Sequence, residues 1–196
     1  MDDIDGEVRK DYRILILGNR CVGKTCLVNQ LCYERFVERY RPTIDTPYKY
    51  NLKFNNTIYE LDILDSAGMD EYSFIPEDFS ANLYDAFVFV YAIDNLESFN
   101  IVKQIKDKLE QKRGASLASS QKAVILVGNK TDLNGNRQVT EDEGKQIAKS
   151  WNAQFLEVSA KEGSKVRGVF EGTIKKIEAL INGTGREAKE KKCSIQ

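Results

Sequence analysis

Gly18-Asn19-Arg20-Cys21-Val22-Gly23-Lys24-Thr25 is the stretch on which the reading of the fold turns. Its spacing is G-x-x-x-x-G-K-[ST], and an apolar run at 13–17 precedes it while a helical pattern at 24–33 follows. Strand, glycine-rich loop and helix in that order make an anion cradle. The glycines let successive N–H groups turn inward, and the helix start adds its positive dipole end. Residues Arg20, Cys21, Val22, Gly23, Lys24, Thr25 and Cys26 are therefore expected around a bound polyphosphate. Lys24 would reach the outer phosphates and Thr25 would offer its hydroxyl to a magnesium ion.

Outward from this loop, near-continuous apolar runs at 86–92, 123–127 and 154–158 suit strands buried on both faces of a parallel sheet. Segments 48–54 and 58–64 alternate, with Phe54-Asn55-Asn56-Thr57 between them as a hairpin turn, which predicts one antiparallel edge. Helical patterns fall at 24–33, about 71–82, 96–112, 141–150 and 166–181, the fourth opened by a Thr140/Glu143 capping box. Strands alternating with helices predict an α/β fold of the P-loop NTPase kind. It is a three-layer sandwich with a mostly parallel six-stranded sheet, one antiparallel edge hairpin and helices on both faces. Residues 1–10 are expected to be a flexible N-terminus, 11–182 the ligand-binding domain and 183–196 a flexible tail.

Composition removes whole classes of chemistry. The 196 residues include no histidine and four cysteines, Cys21, Cys26, Cys32 and Cys193, none in a C-x-x-C pair. Zinc sites and Ser-His or Cys-His catalysis are thereby excluded, and reduced thiols are expected. Net charge is −1, so no global basic field draws the chain to nucleic acid. No segment approaches the roughly 18 apolar residues of a membrane span.

Three further motifs each follow an apolar run. Asp65-Ser66-Ala67-Gly68 places a carboxylate that can hold magnesium through water, and a glycine whose N–H can meet a terminal phosphate. Asn129-Lys130-Thr131-Asp132 selects the base. The Asp132 carboxylate can accept hydrogen bonds from N1–H and the exocyclic amine of guanine, whereas adenine would present a lone pair. A mismatch of that kind can discriminate by roughly 10⁴-fold. Asn129 would tie this loop to the phosphate loop, and the Lys130 stem would cover the base. Ser159-Ala160-Lys161 offers a backbone N–H to the guanine carbonyl. The pattern thus implies GTP or GDP as ligand, with Mg²⁺.

With these residues placed, residues 10–182 resemble the Ras superfamily of small GTPases. They are similar to its Rheb branch in Arg20, in Asp70-Glu71-Tyr72-Ser73 and in Ser150-Trp151-Asn152-Ala153. The resemblance implies a monomeric GTP/GDP switch. Phe36 would stack on guanine, Thr43 would be the magnesium-binding threonine of switch I, and residues 70–79 would form switch II. Lys24, Thr43, Gly68, Tyr40 and Asp70 are the residues it assigns to hydrolysis. It also implies a TOR-type effector kinase, a tuberin-type activating protein and an exchange factor. Two departures from Ras bear on turnover. Met69 stands where a glutamine orients the attacking water, and methionine has neither donor nor strong acceptor. Arg20 stands where a glycine leaves room for an inserted arginine. Turnover at or below the slow Ras-like level of roughly 10⁻⁴ per second is expected, with a largely GTP-loaded binding module as the alternative. Cys193-Ser194-Ile195-Gln196 ends the chain as C-a-a-X, a farnesylation pattern on Cys193. One prenyl chain with a slightly basic tail implies reversible attachment to the cytosolic face of endomembranes.

Overall fold

Strand β1 (Val8–Gly18) runs up the middle of a six-stranded sheet and delivers the phosphate loop at its C-terminal end. The computed structural model describes residues 8–80, 82–163 and 165–193. The remaining elements are α1 (Lys24–Tyr33), β2 (Thr46–Phe54), β3 (Thr57–Asp65), α2 (Glu77–Ser80), β4 (Ala86–Ala92), α3 (Leu96–Arg113), β5 (Ala123–Asn129), a 3₁₀ turn (Thr131–Asn136), α4 (Glu141–Ser150), β6 (Gln154–Glu157) and α5 (Val166–Cys193). Strand order is β2-β3-β1-β4-β5-β6, with β2 antiparallel to β3 and every other pair parallel. The predicted α/β sandwich with its antiparallel edge is the fold found. Asn55 and Asn56 both take positive φ, 49° and 58°, as a two-residue hairpin turn requires.

Alternation along the central strands divides the core into two layers. Ile14, Ile16, Val88, Val90, Ile125 and Val127 face α1 and α5, meeting Leu27, Val28, Leu31, Val169, Phe170, Ile174 and Ile177. Leu15, Leu17, Phe87, Phe89, Tyr91, Val124 and Leu126 face α3, meeting Phe99, Ile101, Val102, Ile105 and Leu109. Each large apolar side chain so buried contributes about 1.5–3 kcal/mol against exposure. The sheet is thus a stiff floor from which the C-terminal strand ends present their loops.

Several boundaries differ from the sequence reading. β1 starts at Val8, inside the segment expected to be flexible, because Val8–Tyr12 pairs with Thr57–Leu61 and Glu178 of α5 accepts from both Lys10 Nζ (2.6 Å) and Tyr12 Oη (2.7 Å). β6 stops at Glu157, one residue short. The helix expected over about 71–82 shrinks to Glu77–Ser80. Pro76 is the cause: its ring excludes the helical carbonyl four residues back, it has no N–H, and it turns Ile75 away from the α region. The pattern of Tyr72, Phe74, Ile75 and Phe79 imitated a helix that proline forbids. α5 continues past Ile181 to Cys193 through Arg186-Glu187-Ala188-Lys189-Glu190-Lys191-Lys192, a run of strong helix formers. The expected flexible tail is thereby helical as far as Cys193; Ser194-Ile195-Gln196 and residues 1–7 lie outside the described residues.

Candidate functional site

A cavity of about 460 Å³ opens above the C-terminal ends of the central strands. Arg20, Cys21, Gly23, Lys24, Thr25, Cys26, Phe36, Tyr40, Thr43, Gly68, Asn129, Lys130, Asp132, Ala160 and Lys161 all line it. Such crevices are where open α/β sheets receive ligands. Of the expected contact residues, Val22 and Ser159 do not line it: the Val22 side chain is in the core and Ser159 is buried behind Asp132.

The phosphate loop is fixed from below. Gly18 (φ +155°) lies so close to β4 that a Cβ would meet the Val90 carbonyl at 2.2 Å. Gly23 (φ +94°) caps α1, and a Cβ there would strike Asn129 Nδ2 at 2.3 Å. Lys24 is buried, and its ammonium donates to the Gly18 and Asn19 carbonyls at 3.1 and 3.0 Å. Burial pushes its pKa down to about 8, only partly opposed by Asp65. The buried ammonium is thus poised to gain from any anion entering the cavity.

Beside it lies an oxygen cluster. Thr25 Oγ1 is 2.8 Å from Thr43 Oγ1 and donates to Asp65 Oδ2 at 2.6 Å. The other carboxylate oxygen, Oδ1, is buried and accepts no hydrogen bond. Burial raises the Asp65 pKa, with Thr25 and Lys24 pulling the other way. An orphaned carboxylate oxygen next to two hydroxyls is a hard-oxygen donor set, and it fits a magnesium ion. Among the described residues there is no group of three or more histidine, cysteine, aspartate or glutamate side chains able to hold a metal. A cation here would therefore take most of its ligands from its anionic partner and water.

At the base end, one asparagine joins three loops. Asn129, buried, donates from Nδ2 to the Val22 carbonyl at 2.8 Å and accepts the Ala160 N–H on Oδ1 at 3.0 Å. Lys130 sits in the left-handed region (φ 70°), which turns the chain so that Asp132 faces the cavity. Ser159 Oγ donates to Asp132 Oδ1 at 2.7 Å and accepts the Glu162 N–H at 3.1 Å. Arg137 closes the frame by a two-pronged contact with Glu157 of β6, at 2.7 and 2.8 Å. The carboxylate is thus held at one oxygen by a hydroxyl from the loop after β6.

The segments over the phosphate end are built differently. Phe36 and Tyr40 line the cavity from an irregular loop and are 36% and 54% exposed. The Tyr40 phenol is raised, by desolvation first and by neighbouring Cys21 next. Met69 is buried against Leu17, Ile75 and Phe79 on the α3 side of the sheet, away from the cavity. Asp70 also stands outside the lining; Arg20 pairs with it at 3.0 Å, and Ser73 Oγ and the Tyr72 N–H donate to its other oxygen. The Asp70 carboxyl is held below its ordinary range, chiefly by Ser73. Gly68 lies against the Arg20 backbone, where a Cβ would come within 2.7 Å of its Cα.

Sequence reasoning missed several residues here. Asp45 Oδ1 accepts the Ala67 N–H at 2.6 Å, bracing the Thr43 loop against the loop after β3. Asn29, Arg39, Arg41 and Leu133 also line the cavity. The excess of lysine and arginine in 20–41 was a signal for an anion's surroundings. The Asp45 brace had none, since only the folded chain brings 45 beside 67.

Phosphate loop, base loop and switch-like segments at one crevice define a P-loop nucleotide-binding site, and residues 13–179 match the Ras family model. The chain belongs to the Ras family of small GTPases, near its Rheb branch. It is 37% identical to GTPase RhebL1 of Mus musculus, over 93% of this chain and 96% of that protein. Identity is 38% to the GTP-binding protein Rheb of Homo sapiens, over 95% and 97%. To the GTP-binding protein rhb1 of Schizosaccharomyces pombe it is 37%, over 88% and 91%.

Proposed function

We propose that this chain is a Rheb-like switch that binds GTP and GDP with magnesium and turns GTP over slowly. The observation that carries it is the Asn129 brace between the Val22 carbonyl and the Ala160 N–H, which presents Asp132 into the same cavity as Lys24. In this reading Asp132 accepts from the guanine edge, Ala160 N–H donates to its carbonyl, and Phe36 and Lys130 cover its faces. Residues Arg20 to Cys26 enclose the phosphates, with Lys24 exchanging its two carbonyl partners for phosphate oxygens. Thr25, Thr43 and, through water, Asp65 would hold magnesium, which when bound neutralises phosphate charge. Gly68 N–H meets the terminal phosphate.

Closing of the Thr43 loop on that ion makes the surface of 43–48 dependent on the nucleotide. That surface is the one we assign to an effector of the TOR-kinase type, with a tuberin-type activating protein and an exchange factor as regulators. Prenylation at Cys193 would supply reversible attachment to endomembranes. Among the described residues no helix is long and apolar enough to cross a membrane.

Met69, buried in the core and without a group to orient water, and Arg20, standing where an inserted arginine would enter, favour slow hydrolysis. They equally support the second reading, a mostly GTP-loaded binding module. Identifying the nucleotide that co-purifies tests the first claim: guanine nucleotide is expected, and adenine nucleotide would overturn it. Single-turnover phosphate release with and without a tuberin-type protein separates the two readings. Acceleration supports the hydrolytic switch, and a flat response supports the module.

A further inference from the structure

The segment after Asp70 has lost its helix to Pro76, so its carbonyls have no intrahelical donors; α3 supplies them. Lys108 Nζ donates to the carbonyls of Glu71 (2.5 Å) and Ser73 (3.1 Å), and Lys112 Nζ, one turn on, donates to that of Ile75 (2.7 Å). Lys112 also pairs with Glu77 at 2.7 Å. The carbonyls held belong to alternate residues, the first two within a turn that the Ser73 N–H closes on the Asp70 carbonyl at 3.1 Å. The intervening side chains, Tyr72 and Phe74, are 81% and 93% exposed, whereas Ile75 is buried. The same segment then reaches the phosphate loop by a short relay. Ser73 Oγ donates to Asp70 Oδ1 at 2.8 Å, and Arg20 donates to Asp70 Oδ2 at 3.0 Å.

We propose that Lys108 and Lys112 are positioning residues for hydrolysis, holding residues 70–76 on α3 and thereby fixing Asp70, through Ser73, against Arg20. The inference rests on the reading of this segment as switch II and of Asp70 as a hydrolysis residue. Ammonium donors to carbonyls are stronger than neutral ones, and two of them one helical turn apart replace the missing helical ladder. A lysine is suited to this because its flexible stem lets one Nζ serve two carbonyls.

The test uses the full-length protein, GDP-loaded for exchange and GTP-loaded for hydrolysis, carrying Lys108→Ala with Lys112→Ala, and a second double variant with arginine at both places. The amides of Asp70, Tyr72 and Ser73, now bonded to Ser73 Oγ, Asp70 Oδ1 and the Asp70 carbonyl, report the clamp by hydrogen exchange. In the alanine pair their exchange is expected to quicken by about tenfold, and in the arginine pair to return to within about threefold of the parent. Single-turnover GTP hydrolysis should fall by about threefold in the alanine pair and recover with arginine, while GDP dissociation stays unchanged. Unaltered exchange in an alanine pair that melts cooperatively would overturn the clamp. Quickened exchange with unaltered hydrolysis would overturn the positioning role. A parent protein that bound no guanine nucleotide would sink the switch reading instead, and the exchange comparison on nucleotide-free protein would still decide the clamp.

Discussion

The two ends of the cavity are built on opposite principles. At the base end, Asn129, Ser159 and the Arg137–Glu157 pair join loops from β1, β5 and β6 by buried or half-buried hydrogen bonds. At the phosphate end, segments 34–45 and 70–76 carry no regular structure and are tethered by a few charged side chains: Asp45, Arg20, Lys108 and Lys112. A binding face that is assembled before its ligand arrives gives affinity and selectivity, because little ordering remains to be done. Segments held by few contacts give response, because a ligand can re-bias them cheaply. One crevice thus combines a braced end with a lightly tethered one.

That contrast is tested most severely at Asp132. On the proposed function, replacing it by alanine leaves the guanine edge without an acceptor, and affinity for GDP should drop by about 10⁴-fold. Equilibrium competition between GDP and ADP on the variant is the measurement; a retained preference for guanine would mean the base is read elsewhere. Asn129→Ala strikes the brace instead of the reader. It strands the Val22 carbonyl and the Ala160 N–H in a buried place, costing about 2–4 kcal/mol of stability. Urea melts of the nucleotide-loaded protein should show it, together with faster GDP release. An unchanged midpoint would show that the base end is not preassembled through this residue.

Much of this contrast could be read from the chain, and the parts that could not have physical reasons. α1, α4 and β4 fall where the sequence puts them, because a glycine, a capping box and a solid apolar run are local signals. Four of the loops around the cavity were legible for the same reason: each is a short motif at a strand end. The segment 71–76 was not, since its apolar spacing argued for a helix and one proline outweighed it. Where Met69 points could not be read either; its chemistry argued against orienting water, but its burial beside Phe79 depends on the folded sheet. Contacts such as Asp45 to Ala67 and Lys108 to Glu71 join residues 22 and 37 apart in sequence and leave no pattern to find.

A smaller effect, and one specific to the phosphate end, is expected at Lys24. Its folded pKa of about 8 lies below the ordinary lysine value of 10.5, so the unfolded chain binds the proton more tightly. The nucleotide-free protein therefore carries a penalty that is full below about pH 8 and disappears as pH rises towards 10.5. Its stability should gain up to about 3 kcal/mol across that window from this group. Cysteine and tyrosine side chains titrate nearby, so the quantity to measure is the difference between parent and Lys24→Met in denaturant melts at pH 7.5 and 10. The variant should be the more stable at pH 7.5, with the gap closing at pH 10. With nucleotide bound, phosphate charge favours the ammonium and the order should reverse. A gap independent of pH would show that the cavity does not strain this charge.

The least costly change is the one that distinguishes tether from brace. The Arg20–Asp70 pair spans phosphate loop and switch segment, but the Arg20 side chain is 63% exposed. Exposed pairs contribute little to stability because water and salt compete for both charges. Arg20→Ala should therefore leave the thermal midpoint of the GDP form unchanged within error. Asp70 would keep its bonds from Ser73 and the Tyr72 N–H, so the local turn should persist while its link to the phosphate loop is lost. Hydrogen exchange of 70–76 in the GDP form should quicken modestly and should become insensitive to salt, whereas the parent's rises with salt. If Arg20→Ala lowered the midpoint as Asn129→Ala does, the phosphate end would be a fixed wall like the base end, and the division of labour between them would fall.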